Sequence, residues 1–233
     1  MPSPPPPQPT PLPFWNTNLP PNQHIPTCPP YLAYAHTDPK DRLILSTPDQ
    51  NHTPQTWAEI RTLLRENRLD AFQRRPSDLR RYREYCHALT QRHGSVMEFV
   101  VQHRLNWSDL TPKGTEPFEC EGDHRVLLND WPYGLDPRIA HLVVWTKHAL
   151  PADPGSAIGD MLPATRAAIQ EFVDERFVEE CGREKVLWFK NWASLKSVHA
   201  VEHFHVLLFD PPSGFVERVT GGDVAVGVAG VDV

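Results

Sequence analysis

The 233-residue chain has 29 acidic and 23 basic side chains and a net charge of −6, which excludes a groove built mainly to neutralise nucleic-acid phosphates. Hydrophobic residues are 39% of the chain, and the deficit sits with the prolines crowding its first thirty positions, so the remainder can bury one ordinary core. Cys28, Cys86, Cys120 and Cys181 lack CxxC spacing, which fits a reducing, cytoplasmic setting rather than a zinc motif or a disulfide framework.

No run approaches the ~18 apolar residues of a membrane span. The start has no cationic stretch followed by an apolar one, so neither a signal peptide nor a membrane partner is expected. Residues 1–30 read as a disordered, polyproline-type tail that can serve as a ligand for a partner domain. Residues 31–222 read as a single domain, with a helical part at 55–107 and a sheet part at 123–210.

Thr56 and Glu59 form a capping box, and Trp57, Ile60, Leu63 and Leu64 follow at helical spacing. Pro76, Ser77 and Asp78 open a second helix whose inner face carries Leu79, Tyr82, Cys86 and Leu89, with Gly94 at its exit. Ser95 and Glu98 cap a third helix reaching Trp107. Arg74 and Arg80, with Ser77 and Asp78 at a helix N-terminus, make a candidate phosphate corner; a solvated, internally paired helix face explains the same charges.

Residues 108–123 read as a loop. Strands at 125–128 and 141–145 flank the turn Asn129-Asp130-Trp131-Pro132-Tyr133-Gly134, which suggests antiparallel pairing. Lys147 and His148 close the second strand. A long helix near 160–180 follows, with Met161, Ile169, Phe172, Val173 and Phe177 on one face. Residues 223–233, rich in Gly and Val, read as a flexible tail.

The chemistry concentrates between two strand-like runs, 186–189 and 204–209. The link between them carries Lys190, Asn191, Ser197 and His199, and leads into His203 and His205. Alternation puts both imidazoles on one face of a strand. A histidine held through one ring nitrogen can attack phosphorus with the other, and a second can protonate a leaving group or steady phosphate oxygens. Asp130, Trp131 and Tyr133 can read and stack a ring. Metal binding by the same imidazoles is the alternative, without a third ligand at a telling spacing. A purely structural, hydrogen-bonded pair is another.

The blocks RRPSDLRRY, HGSVMEFVVQHRLNW, LLNDWPYGLDPRIAHLVVWTK and LWFKNWASLKSVHAVEHFHVLLFD closely resemble the fungal N-acetylglucosamine-induced protein family. That resemblance implies a fungal protein connected to amino-sugar response and supplies no reaction. The order of elements at 125–210 is also similar to histidine-triad nucleotide hydrolases and transferases. Under that similarity Lys147 and His148 stand for the cationic pair after a strand, Asn191 for the family's asparagine, and Ser197 with Val198 for its Ser-Val. His203 and His205 stand for two of its alternating histidines, and the third position falls on Leu207, or on Val201 if the register is shifted by two.

The expectation is therefore an α+β protein: a helical subregion, then an antiparallel, histidine-triad-like sheet under one long helix. Its expected catalytic residues are His203, His205 and His199. Its expected ligand-binding residues are Arg74, Ser77, Asp78, Arg80, Asn129, Asp130, Trp131, Tyr133, Lys147, Lys190, Asn191 and Ser197. The expected ligand is phosphorylated or nucleotide-linked, no cofactor is specified, and the alternative expectation is a non-catalytic regulatory or binding protein in amino-sugar response.

Overall fold

The computed structural model describes residues 12–192 and 201–229. Among these residues one sheet has four antiparallel strands, β1 (His124–Leu128), β2 (Ile139–Thr146), β3 (Val186–Phe189) and β4 (Glu202–Phe209), in the order β1-β2-β4-β3. Two β-rich runs separated by a Pro-Tyr-Gly turn form the β1–β2 hairpin. β4 then enters between β2 and β3, pairing Val143 with His205 and Trp145 with His203.

Both faces of this sheet are covered. On one face Leu142, Val144, Phe204, Val206 and Leu208 meet Ile169, Phe172, Val173 and Phe177 in the largest apolar cluster. These last residues come from the covering helix α5 (Pro163–Val173), which continues through a π-helical turn at Asp174–Val178. The expected long helix is thus present, widened by that turn.

The opposite face lies under the N-terminal helices. α1 (Pro39–Leu45) is capped by Asp38, and α2 (Trp57–Arg65) begins with the expected capping box, in which the Thr56 N–H donates to Glu59 at 2.7 Å. α3 (Pro76–His93) ends at Gly94, whose φ of 83° a residue with a Cβ rarely adopts. α4 (Val96–Phe99) passes into a π-helical segment, Val100–Leu105, and Asn106 ends it in the left-handed region. After α5 come the short α6 (Glu179–Cys181), then β3 and β4, then α7 (Phe215–Thr220) and α8 (Val226–Ala229).

Two boundary expectations need correction. The proline-rich start is not a tail up to residue 30, because Phe14 is buried with Leu32, Ala35, Ile44 and Leu79. The buried Asn16 amide also clamps Ile25 through both its carbonyl and its N–H. Aromatic burial among the prolines outweighs their tendency to stay solvated. Residues 223–229 do not float either: Asp223 and Val226 are bonded into the sheet edge. No helix among the described residues is long and apolar enough to cross a membrane.

Candidate functional site

Between the sheet and the N-terminal helices lies a cavity of about 500 Å3. Alternation aims His141 of β2, His203 and His205 of β4 and Phe189 of β3 toward this side. The cavity wall includes Arg74, Asn129, Asp130, Trp131, Tyr133, Asn191, His203 and His205, so eight of the expected residues converge.

Its centre is a hydrogen-bonded row. The Asn129 amide nitrogen is 3.1 Å from His141 Nε2, which is 3.0 Å from His205 Nδ1, and His205 Nε2 is 3.2 Å from the Asn191 amide nitrogen. Asn129 Oδ1 accepts the Trp131 N–H at 3.0 Å, which turns the amide nitrogen toward His141. His141 Nε2 is then the acceptor and His205 Nδ1 the donor, leaving His205 Nε2 to accept from Asn191. Both nitrogens of His205 are engaged within the row.

The rings are stacked as well: Phe189 on His205 at 4.8 Å, Tyr133 on His141 at 5.4 Å, and Phe72 on both Phe189 and Tyr133. Burial pushes the His141 imidazole down to about 3, with the Arg74 charge adding to it. Burial likewise holds His205 well below the usual imidazole range, helped by His141, His203 and Arg74. Both are neutral at pH 7.

His203 sits differently. Its Nδ1 is 3.3 Å from the Val201 carbonyl, so Nδ1 carries a hydrogen donated to that carbonyl, and Trp145 flanks its ring at 4.5 Å.

Of the arginines lining the cavity, Arg83 pairs with Asp41 at 2.9 Å, and Arg104 and Arg74 are held in different ways. Arg104 forks to Asp130 at 2.8 and 2.9 Å and to Asp223 at 2.8 and 2.9 Å, so two carboxylates surround one cation. Burial works against that charge, but Asp223 and Asp130 outweigh it and hold the guanidinium firmly protonated. Burial raises Asp130, partly offset by the Val226 N–H and Arg104. Arg74 has no carboxylate partner among the described residues. It donates to the Trp131 carbonyl at 3.0 Å and lies 3.9 Å over the Tyr82 ring and 5.3 Å from the Tyr133 centroid.

The other expected residues lie elsewhere. The phosphate corner at the start of α3 is filled by a side chain: Asp49 accepts the Ser77 N–H at 3.0 Å and pairs with Arg75 at 2.9 Å. Asp78 pairs with Arg81, and Arg80 donates to the Trp15 carbonyl and the Tyr31 hydroxyl. The helix N-terminus already has its anion, so Ser77, Asp78 and Arg80 form a structural junction.

Lys147 lies 3.9 Å from the fully buried Asp123 and 5.4 Å from the Trp107 ring, away from the cavity. Lys190 is buried beside Glu202 at 3.4 Å. Glu202, a natural partner for an imidazole by proximity in sequence, points to the opposite face from His203. Ser197 and His199 lie outside the described residues. Among the described residues no group of three or more His, Cys, Asp or Glu side chains is placed to hold a metal ion.

Sequence reasoning missed His141, Arg104 and Asp223. His141 had a signal, alternation with Val143 and Trp145 on an expected strand, but its partner strand could not be assigned.

A family profile described as "Protein of unknown function (DUF3605)" matches residues 56–209. The chain belongs to that family. N-acetylglucosamine-induced protein 1 of Candida albicans is 27% identical over 212 residues, covering 82% of this chain and 84% of that protein. Uncharacterized protein YPL067C of Saccharomyces cerevisiae is 30% identical over 162 residues, covering 66% and 79%. The crystal structure of HTC1 superposes with a TM-score of 0.57 at 27% identity, covering 72% of this chain and 94% of that one. The DUF3605 match spans α2 through β4, and so takes in the histidine row and Arg74 and leaves Asp223 outside.

Proposed function

We propose that this DUF3605 protein binds a small, ring-bearing anion in its cavity, a sugar phosphate or nucleotide-linked sugar, as part of a cell's response to amino sugars. The observation that carries the reading is Arg74. Like Lys40, it lines the cavity without a carboxylate partner among the described residues, and it lies against the rings of Tyr82 and Tyr133 beside the histidine row. The resemblance to a Candida albicans protein named for induction by N-acetylglucosamine supports the choice of ligand class.

A thermal-shift screen of sugar phosphates, nucleotide sugars and inorganic phosphate tests it. A ligand present at a hundred times its Kd stabilises by about 2.7 kcal/mol, or roughly 5–10 °C for a chain of this size. Arg74→Gln is expected to lose the shift. A wild-type protein that no phosphate compound shifts, or a variant that responds equally, overturns the reading.

A second reading, histidine-dependent hydrolysis or transfer, is favoured by the place of His203. Its Nδ1–H donates to the Val201 carbonyl, which orients the ring at the cavity wall, where an imidazole can act as nucleophile or general base. In this reading His205, bonded at both nitrogens, orients the site rather than reacting. His203→Asn is expected to abolish turnover of a bound compound while keeping its thermal shift; turnover retained in that variant removes His203 from the chemistry.

A further inference from the structure

We propose that residues 223–227 form a positioning strap that holds the cavity wall at 128–131 in its ligand-receiving shape, an inference that rests on the cavity being a binding site. The strap touches that wall repeatedly. Asp223 takes the fork of Arg104 and also accepts the Leu128 N–H at 2.9 Å. The Val226 N–H reaches Asp130 Oδ1 at 2.9 Å, and the Gly227 N–H reaches the Asp130 carbonyl at 3.2 Å.

Gly227 is seated so closely that a Cβ there would collide with the Asp130 carbonyl and stand 3.4 Å from the Trp131 ring. Leu128, Asp130 and Trp131 line the cavity, and Asn129 between them orients His141. Trp131 also supplies the carbonyl that holds Arg74. A shift of this short wall therefore reaches both the anion-facing arginine and the histidine row.

The strap is held mainly by polar contacts. Val224 is 59% exposed, and Ala225 is its buried apolar residue among those described. Segments with so few buried apolar contacts open at low cost while the core stays closed. Asp223, Arg104 and Gly227 are on this account positioning residues, acting on the ligand through the wall.

Gly227→Val tests the strap by filling its seat without altering the charges. Peptide-resolved hydrogen exchange is measured without any ligand, beside labelling of Cys86, whose thiol lines the cavity. Amides of 128–131 are expected to exchange about tenfold faster or more, and Cys86 to label faster, while the β2 and β4 amides keep wild-type protection. Asp223→Asn, which keeps the side-chain shape, is expected to act in the same direction more weakly, and decides the question if Gly227→Val does not fold.

Faster exchange confined to residues beyond 222, with 128–131 and Cys86 within twofold of wild type, overturns the proposal. Because no ligand is used, a cavity that binds nothing leaves the strap result standing. A strap that positions nothing leaves the ligand screen standing.

Discussion

The two faces of one sheet are built to opposite rules. The face toward α5 is a largely apolar surface in which Phe204, Val206 and Leu208 alternate down β4 and most contacts are non-directional, the Trp188 N–H to Gln170 bond being an exception. The face toward α2 and α3 carries His203, His205 and Leu207 on the intervening positions of the same strand. There the contacts are directional: each imidazole in the row has an assigned tautomer, and each amide an assigned orientation. The first face supplies cohesion. The second uses that cohesion to keep polar groups buried in one arrangement, which is the condition for recognising a ligand.

Acid should separate the faces most strongly. His141 and His205 are held neutral, with folded values below the unfolded one near 6.5, so their contribution is full above about pH 6.5 and is lost as pH falls toward the folded values. His141 is expected to remove up to about 3 kcal/mol by pH 4, with His205 acting in the same direction, read from denaturant unfolding across pH. His141→Phe should flatten that profile; an unchanged slope would show that the row is not its source.

Next in size is the cohesive face: Phe204→Ala should cost about 3–5 kcal/mol at every pH, seen as a lower denaturation midpoint. His205→Leu keeps the volume, strands the Asn191 amide and leaves His141 Nε2 with the Asn129 amide alone, for about 1–3 kcal/mol at pH 7. A loss below 0.5 kcal/mol would mean that the row is dispensable for folding. Smallest is the exposed Arg81–Asp78 pair. Asp78→Ala should change stability by less than about 0.5 kcal/mol and leave any ligand shift intact, as befits a residue outside the cavity.

Local signals carried much of the architecture. The Thr56–Glu59 capping box, the Gly94 exit and the β1–β2 hairpin each depend on residues within a few positions of one another, and all are present. The facing of His203 and His205 follows from a period of two. What stayed hidden depends on distance along the chain. His141 meets His205 across 64 positions because β4 inserts between β2 and β3, and Arg104 meets Asp223 across 119. The basic cluster at α3 was visible, but its anion, Asp49, comes from 28 positions earlier. Composition made both ends look like tails, whereas Phe14 and Asp223 find long-range partners that composition does not reveal.

Gly134 bears on how the cavity can be entered. Its N–H donates to the Gln73 carbonyl and its carbonyl accepts the Gln55 N–H, both at 2.9 Å, while a Cβ there would press on His52 and stand 3.2 Å from the Arg75 nitrogen. The hairpin turn is thus sewn into the helical layer from both sides of one residue. Swinging the two layers apart at this seam would break paired backbone bonds together, so the layers travel as one body there. Traffic in and out of the cavity then falls to local movements away from the seam.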